Sequence, residues 1–177
     1  AKMGAPHLGI DPAANLAPHA RARGVEVLTA FFNPETARQV RDQHGPAAVI
    51  ATSNTFNHID NLHGFMQAVD ILLGDGGSFV IEVPWGKMIV ENNQFDNVYH
   101  EHLSELSLLS IVQLGQLNGF DVVDVTKLPV HGGSMRVFLR RTAQGQAPAP
   151  IVAEMLAEET AAGLTDRQTY VDFAARV

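Results

Sequence analysis

Ala47-Ala48-Val49-Ile50-Ala51 is an unbroken apolar run that closes on Thr52-Ser53-Asn54. Such a run predicts a strand covered on both faces, as in a parallel sheet, with polar groups delivered at its carboxyl end. The segments on either side support that reading. His7-Leu8-Gly9-Ile10-Asp11 reads as a strand ending in an acid, and Val25 to Leu28 as a second. Between them, Pro12 can open a helix over residues 13–23, since a first-turn position needs no N–H, and Gly24 closes it. Asn33-Pro34-Glu35 predicts a capped helix start, with the helix running to about His44-Gly45. Leu62, Phe65, Met66, Val69, Leu72 and Leu73 fall on one helical stripe within residues 60–73, and Gly74-Asp75-Gly76-Gly77 is expected to stop it.

Ser78 to Val83 reads as a fourth strand ended by Pro84, and residues 86–103 as irregular. A helix over 105–118 closes on Asn118-Gly119, followed by strands at Phe120–Val125 and Met135–Arg140. Gln144 to Pro150 reads as a linker, and a helix from Ile151 onward is expected to have little to pack against. About six strands alternating with five helices predict an α/β fold with a mostly parallel, doubly wound sheet. Ligands of such sheets lie outside the carboxyl ends of the strands, where Asp11, Ser53-Asn54 and Glu82 fall here.

Composition narrows the function classes. The 177 residues carry 12 Lys and Arg against 19 Asp and Glu, a net charge of −7. That argues against nonspecific nucleic-acid binding and against docking on an anionic membrane. Apolar residues make up 46% and charged residues 18%, enough to bury a core. With no cysteine, a disulfide framework, a thiolate zinc site and a thiol nucleophile are excluded for this chain. No apolar run is long enough to span a bilayer. Ala1-Lys2-Met3-Gly4 opens without a signal-peptide pattern, so a cytoplasmic location is expected, and the missing initiator Met suggests a start inside something larger.

Five places carry chemistry. A carboxylate at the Asp11 strand end can accept two hydrogen bonds from a ribose diol, although alone it reads as a helix cap. Phe31-Phe32 can flank a flat ring, or simply belong to the core. Asn54 and His58 share a face if residues 54–58 are helical. The densest stretch is Asn92-Asn93-Gln94-Phe95-Asp96-Asn97-Val98-Tyr99-His100-Glu101-His102. A solvated loop, a metal site built from His58, His100 and His102, and acid–base catalysis by a histidine all compete for it. Glu101 and His102 need a turn to cooperate, since neighbours on an extended chain point oppositely. Finally, His131-Gly132-Gly133-Ser134-Met135-Arg136 offers paired glycines for close backbone approach, with Ser134 and Arg136 able to grip a phosphate or carboxylate, or forms a plain turn.

Together these segments resemble one family. Gly9-Ile10-Asp11-Pro12, Asn54 through His58-Ile59, Glu91 through Asp96, Tyr99-His100-Glu101-His102 and His131 through Arg136 follow the order and spacing of S-adenosylmethionine-dependent sugar C-methyltransferases. The resemblance implies a Rossmann-like methyltransferase domain, S-adenosylmethionine as cofactor, and methyl transfer to a carbon beside a ketone in a nucleotide-linked deoxysugar, through a base-generated enolate. It implies His102 as the base, with Glu101, Tyr99, His58 and Asn54 orienting substrate or stabilising the enolate. It places Asp11, Phe31, Phe32 and Ser53 at the cofactor, and Asn93, Ser134 and Arg136 at the substrate. No metal is expected here, since the family's zinc belongs to a cysteine-bearing N-terminal domain.

The family's glycine-rich turn and first strand would precede His7, and its C-terminal substrate domain would follow. The expected division is therefore 1–143 as a partial methyltransferase domain, 144–150 as linker, and 151–177 as a helix leading toward that further domain. On this reading the chain alone is expected not to bind cofactor normally and to be inactive. The strands near Leu8 and Val49 are expected either to close up or to admit a second copy. A nucleotide-dependent oxidoreductase or epimerase, a metal-dependent hydrolase and a catalytically inactive truncated domain stand as alternatives.

Overall fold

The computed structural model describes residues 4–177, so Ala1-Lys2-Met3 and the signal-peptide reading placed on it lie outside the described residues. Strand β1 (Leu8–Ile10) leads through helix α1 (Ala17–Arg21) to β2 (Glu26–Leu28), which lies parallel to β1. Helix α1 is shorter than expected. Asp11 Oδ1 accepts from the Ala13 N–H at 2.7 Å, which holds the chain in a turn past Pro12 before the helix opens. Helix α2 (Pro34–His44) starts where its cap predicts, with Asn33 Oδ1 accepting from the Thr36 N–H at 2.9 Å.

The expected α/β class is what the chain forms, with a mixed pairing pattern. Strand β3 (Ala47–Ser53) runs parallel to β4 (Leu73–Pro84), while β6 (Ser134–Arg141) runs antiparallel to both β4 and β5 (Phe120–Leu128). The order is β3-β4-β6-β5, separate from the β1-β2 pair. Between these strands lie helices α3 (Leu62–Leu72), α4 (Gly86–Glu91) and α5 (Leu108–Leu117), and α6 (Pro150–Ala161) and α7 (Arg167–Arg176) close the chain.

Strand β3 departs from the double cover its apolar run predicts. It is not covered on both faces: Val49 is 60% exposed. Only β4 pairs with it among the described residues, and Val49, Ala51 and Ser53 share an uncovered face. The strands around Leu8 and Val49 do not pair. They are joined instead through α2 and α3, whose buried Ala37, Val40, Ala68 and Leu72 pack against Leu8, Ile10, Leu28 and Ile50.

Three further expectations change. Helix α3 does end at Leu72, just before Gly74, but Gly74 to Gly77 lies inside β4 rather than in a loop, with a bulge opposite Ala47–Val49 absorbing the irregular register. Residues 86–103 hold α4 and a 3-10 turn at Phe95–Asn97 rather than irregular chain alone. The helix after Ile151 is two helices, and α6 is well packed: Val152 and Met155 enter the main core with Phe56, Phe65, Phe79 and Ile111. No helix of the described residues is long and apolar enough to cross a membrane.

Candidate active site

Polar side chains gather just beyond the carboxyl end of β3. Asn54 leaves the strand with φ +50°, a conformation Asn tolerates better than most residues, and its N–H donates to Glu82 O at 2.8 Å. It therefore stands outside the 3-10 turn at Phe56–His58, and the shared helical face expected for Asn54 and His58 does not form. Asn54 Nδ2 instead lies 3.3 Å from His131 Nε2, which joins the β3 end to the loop before β6.

The chain turns sharply at the dense polar segment. The His102 N–H donates to Tyr99 O at 3.0 Å, folding His102 back on the Tyr99 ring with centroids 4.4 Å apart. The His58 ring lies 5.0 Å from His102 on another side. Ser104 N–H donates to Asn57 O at 3.2 Å and fastens this segment to the turn that carries His58. His102 is thereby held largely out of water, its side chain 10% exposed.

Glu101 takes no part in this cluster. Its side chain is 58% exposed and lies 4.0 Å from His100, on the outer side of the turn. The carboxylate beside His102 is Glu105, whose Oε1 is 3.4 Å from Nδ1, within ion-pair reach but outside good hydrogen-bond geometry. Burial pushes the Glu105 carboxyl above its ordinary range, and the neighbouring His102 opposes that shift.

Several buried polar atoms here lack partners: Thr52 Oγ1, Asn54 Oδ1, both amide atoms of Asn57, and His102 Nδ1. Buried polar groups normally find hydrogen bonds, so their concentration at one strand end marks a place built to meet polar atoms from outside. Among the described residues, no three His, Asp or Glu side chains are placed to hold a metal ion, which removes the His58-His100-His102 ligand set.

The remaining expected residues scatter. Asp11 is exposed at the end of β1, and Phe31 is 73% exposed just past β2. Phe32 turns inward instead, its ring 4.8 Å from Phe65, so the two phenylalanines do not flank a common slot. Ser53 Oγ donates to Glu82 Oε1 at 3.1 Å, and Arg136 donates from Nε and Nη2 to Glu82 Oε2 at 2.8 and 2.6 Å. The Arg136 fork is thus occupied by a carboxylate of this chain. Ser134 is buried with its hydroxyl donating to Val130 O at 3.1 Å, which directs it into its own turn rather than toward a ligand. Asn93 lies apart from the cluster, its Nδ2 donating to Arg176 O at 3.3 Å.

Residues 2–125 match the methyltransferase domain family, and residues 129–177 match the C-methyltransferase C-terminal domain family. The chain belongs to the methyltransferase domain family. The C-methyltransferase NovU of Streptomyces niveus is 42% identical over 167 residues, covering 94% of this chain and 40% of that protein. The chain therefore spans about two fifths of the curated relative's length. Solved structures agree on the fold. PH0226 from Pyrococcus horikoshii OT3 aligns with a TM-score of 0.61 at 12% identity, over 79% of this chain and 73% of that one. Magnesium protoporphyrin IX methyltransferase from Synechocystis PCC 6803, solved with bound SAH, aligns at 0.57 and 12% identity, over 80% and 66%. The two family matches meet between residues 125 and 129, within the β5–β6 hairpin, so this methyltransferase-family chain does not divide structurally there.

Sequence reasoning placed Glu82 at a strand end but missed Glu105 and Asn57 as members of the polar network. Glu105 was legible in part: it stands three residues after His102, the spacing at which a turn brings side chains together.

Proposed function

We propose that this chain supplies the chemical site of a C-methyltransferase that acts on a carbon beside a ketone, in a nucleotide-linked deoxysugar, with His102 as the base. The observation that carries the proposal is the buried imidazole of His102 between Tyr99 and His58, beside unpartnered polar atoms at the end of β3. A ketone acidifies the neighbouring C–H. An imidazole ordinarily titrates near pH ~6.5 and can take that proton at neutral pH. The proton passes to a ring nitrogen of His102, and the C–H electron pair moves into the enolate. His58, Tyr99 and Asn54 are the nearby donors suited to holding the enolate oxygen.

S-adenosylmethionine, when bound, supplies an electrophilic methyl group for the enolate carbon. The residues present suit it. The exposed carboxylate of Asp11 at a strand end fits a ribose diol, and the exposed ring of Phe31 after the next strand fits the face of a purine. Thr52 and Ser53 supply hydroxyls at the end of β3. Glu101, Phe32, Ser134 and Arg136 are engaged elsewhere and are not assigned contacts here.

The test uses the protein carrying this chain, S-adenosylmethionine and a nucleotide-linked keto-sugar in deuterated water. Uptake of deuterium beside the ketone, followed by methylation, is expected for the wild type. His102→Asn should abolish both while leaving calorimetric binding of S-adenosylmethionine intact. A His102→Asn variant with wild-type exchange and turnover refutes the base assignment. The open edge of β3 makes a second copy of the chain a reasonable occupant, and a strictly monomeric native mass removes that option.

A further inference from the structure

Any base built on His102 has to control which ring nitrogen carries the resting proton. The fold supplies a carboxylate for this, and it is not the one inside the Tyr-His-Glu-His segment. Glu105 sits between two backbone anchors: Ser104 N–H on Asn57 O at 3.2 Å, and Leu106 O accepting from Gly86 N–H at 2.8 Å. These bonds hold residues 104–106 against both the His58 turn and the start of α4. Glu105 Oε1 consequently faces His102 Nδ1 at 3.4 Å, with side chains 25% and 10% exposed. Around His102 the titratable neighbours are Glu105, His58 and Tyr99, and only Glu105 is acidic among them. His100 and Glu101 pair with each other on the exposed side.

We infer that Glu105 is the positioning residue for His102: its carboxylate accepts the Nδ1–H, leaves the lone pair on Nε2, and stabilises the imidazolium once Nε2 has taken the substrate proton. The inference rests on reading His102 as the base. The 3.4 Å separation suits a pair that tightens when the ring becomes charged, since catalytic hydrogen bonds are often long without ligand. A carboxylate holding an imidazole in one tautomer is the arrangement that makes the opposite nitrogen basic. The facing side chains are 25% and 10% exposed, so their attraction is screened less than at an open surface.

Nitrogen-15 NMR of the histidine rings tests this on the chain itself. In the wild type the neutral His102 ring is expected to carry its proton on Nδ1. In Glu105→Gln the neutral ring should shift toward the Nε2–H form, and the pH at which it gains its second proton should fall. Glu105→Asp should restore part of both, and Glu101→Gln should change neither. In the protein carrying this chain, Glu105→Gln should lower kcat about tenfold with KM within about twofold, and move the acidic limb of the pH profile downward. An unchanged tautomer and titration in a folded Glu105→Gln variant overturns the inference, as does a shift produced by Glu101→Gln instead. Failure of the underlying reading looks different. An active His102→Asn variant removes the base, and with it any part for Glu105 in turnover, while the tautomer shift on Glu105→Gln would persist.

Discussion

Glu159 is a carboxylate on α6 with 1% of its surface exposed, and removing it should be among the most damaging single changes in the chain. Its Oε1 accepts from Trp85 Nε1 at 2.6 Å and from the Leu108 N–H at 2.6 Å, and its Oε2 accepts from the Leu109 N–H at 2.8 Å. Leu108 and Leu109 open α5, so the carboxylate satisfies two N-terminal amides that have no partner within the helix and meets the positive end of its dipole. Glu159→Ala strands the buried Trp85 N–H and Leu108 N–H, each at a cost of about 1–3 kcal/mol. Leu109 is only part-buried and can turn to water, and losing a buried charge returns some of the desolvation cost. The net loss is roughly 3 kcal/mol. With a urea m-value of ~2 kcal/mol/M, the unfolding midpoint should fall by about 1.5 M. Trp85 is the single tryptophan, so its fluorescence follows both global unfolding and the loss of its own hydrogen bond. Glu159→Gln keeps one acceptor oxygen and should fall between wild type and Ala. A Glu159→Ala midpoint within about 0.3 M of wild type would refute the argument that this carboxylate ties α6 to α5.

Gly115→Ala should destabilise even though alanine ordinarily favours a helix interior by ~1 kcal/mol, because its Cβ would stand 2.9 Å from Phe120 O. A drop in Tm of a few degrees is expected, and a rise would contradict the close approach of α5 and β5. Arg136 and Glu82 should couple by about 1 kcal/mol in a double-mutant cycle of Arg136→Ala with Glu82→Gln, read by urea unfolding, with additivity as the contrary outcome. Glu105 gives a pH dependence of known sign. Burial raises its carboxyl in the folded state, so the folded chain holds this proton more firmly than the unfolded one, and stability falls as pH rises from the ordinary carboxylate range through the folded value. Glu105→Gln should flatten that part of the stability–pH curve, and an unchanged slope would contradict it.

The sequence was most informative where local chemistry decides local structure. Asn33 caps α2, and the apolar stripe from Leu62 to Leu72 became α3 with Asn61 as its cap. It misled where the partner is distant in the chain. Gly74 to Gly77 reads as punctuation, yet β4 runs through it, bulging between the pairs Ala47–Leu73 and Val49–Ser78. Helix α4 opens at Gly86 after Trp85, which provides no side-chain cap, so no start signal was present. Glu159 on α6 reads as a surface acid, and only Trp85 and the start of α5, fifty or more residues earlier, explain its burial. Five apolar residues in β3 implied cover on both faces, but composition cannot report how many neighbours a strand has.

The Tyr-His-Glu-His segment shows how a single turn decides which residues of a short motif face one another. Taken as extended chain, its residues alternate between two faces, which would set Tyr99 and Glu101 opposite His100 and His102. The bond from His102 N–H to Tyr99 O replaces that alternation with a turn. The turn brings its ends together, so the Tyr99 and His102 rings meet, while His100 and Glu101 are thrown outward as a pair. An acid that serves His102 must then come from outside the four residues, on the chain that leaves the turn. Glu105 is three residues along, and the anchors at Ser104 and Leu106 fix the direction in which that chain leaves. The position of the acid is thus a property of the turn and its exit together, and breaking either anchor should detach Glu105 from His102 as effectively as replacing Glu105 itself.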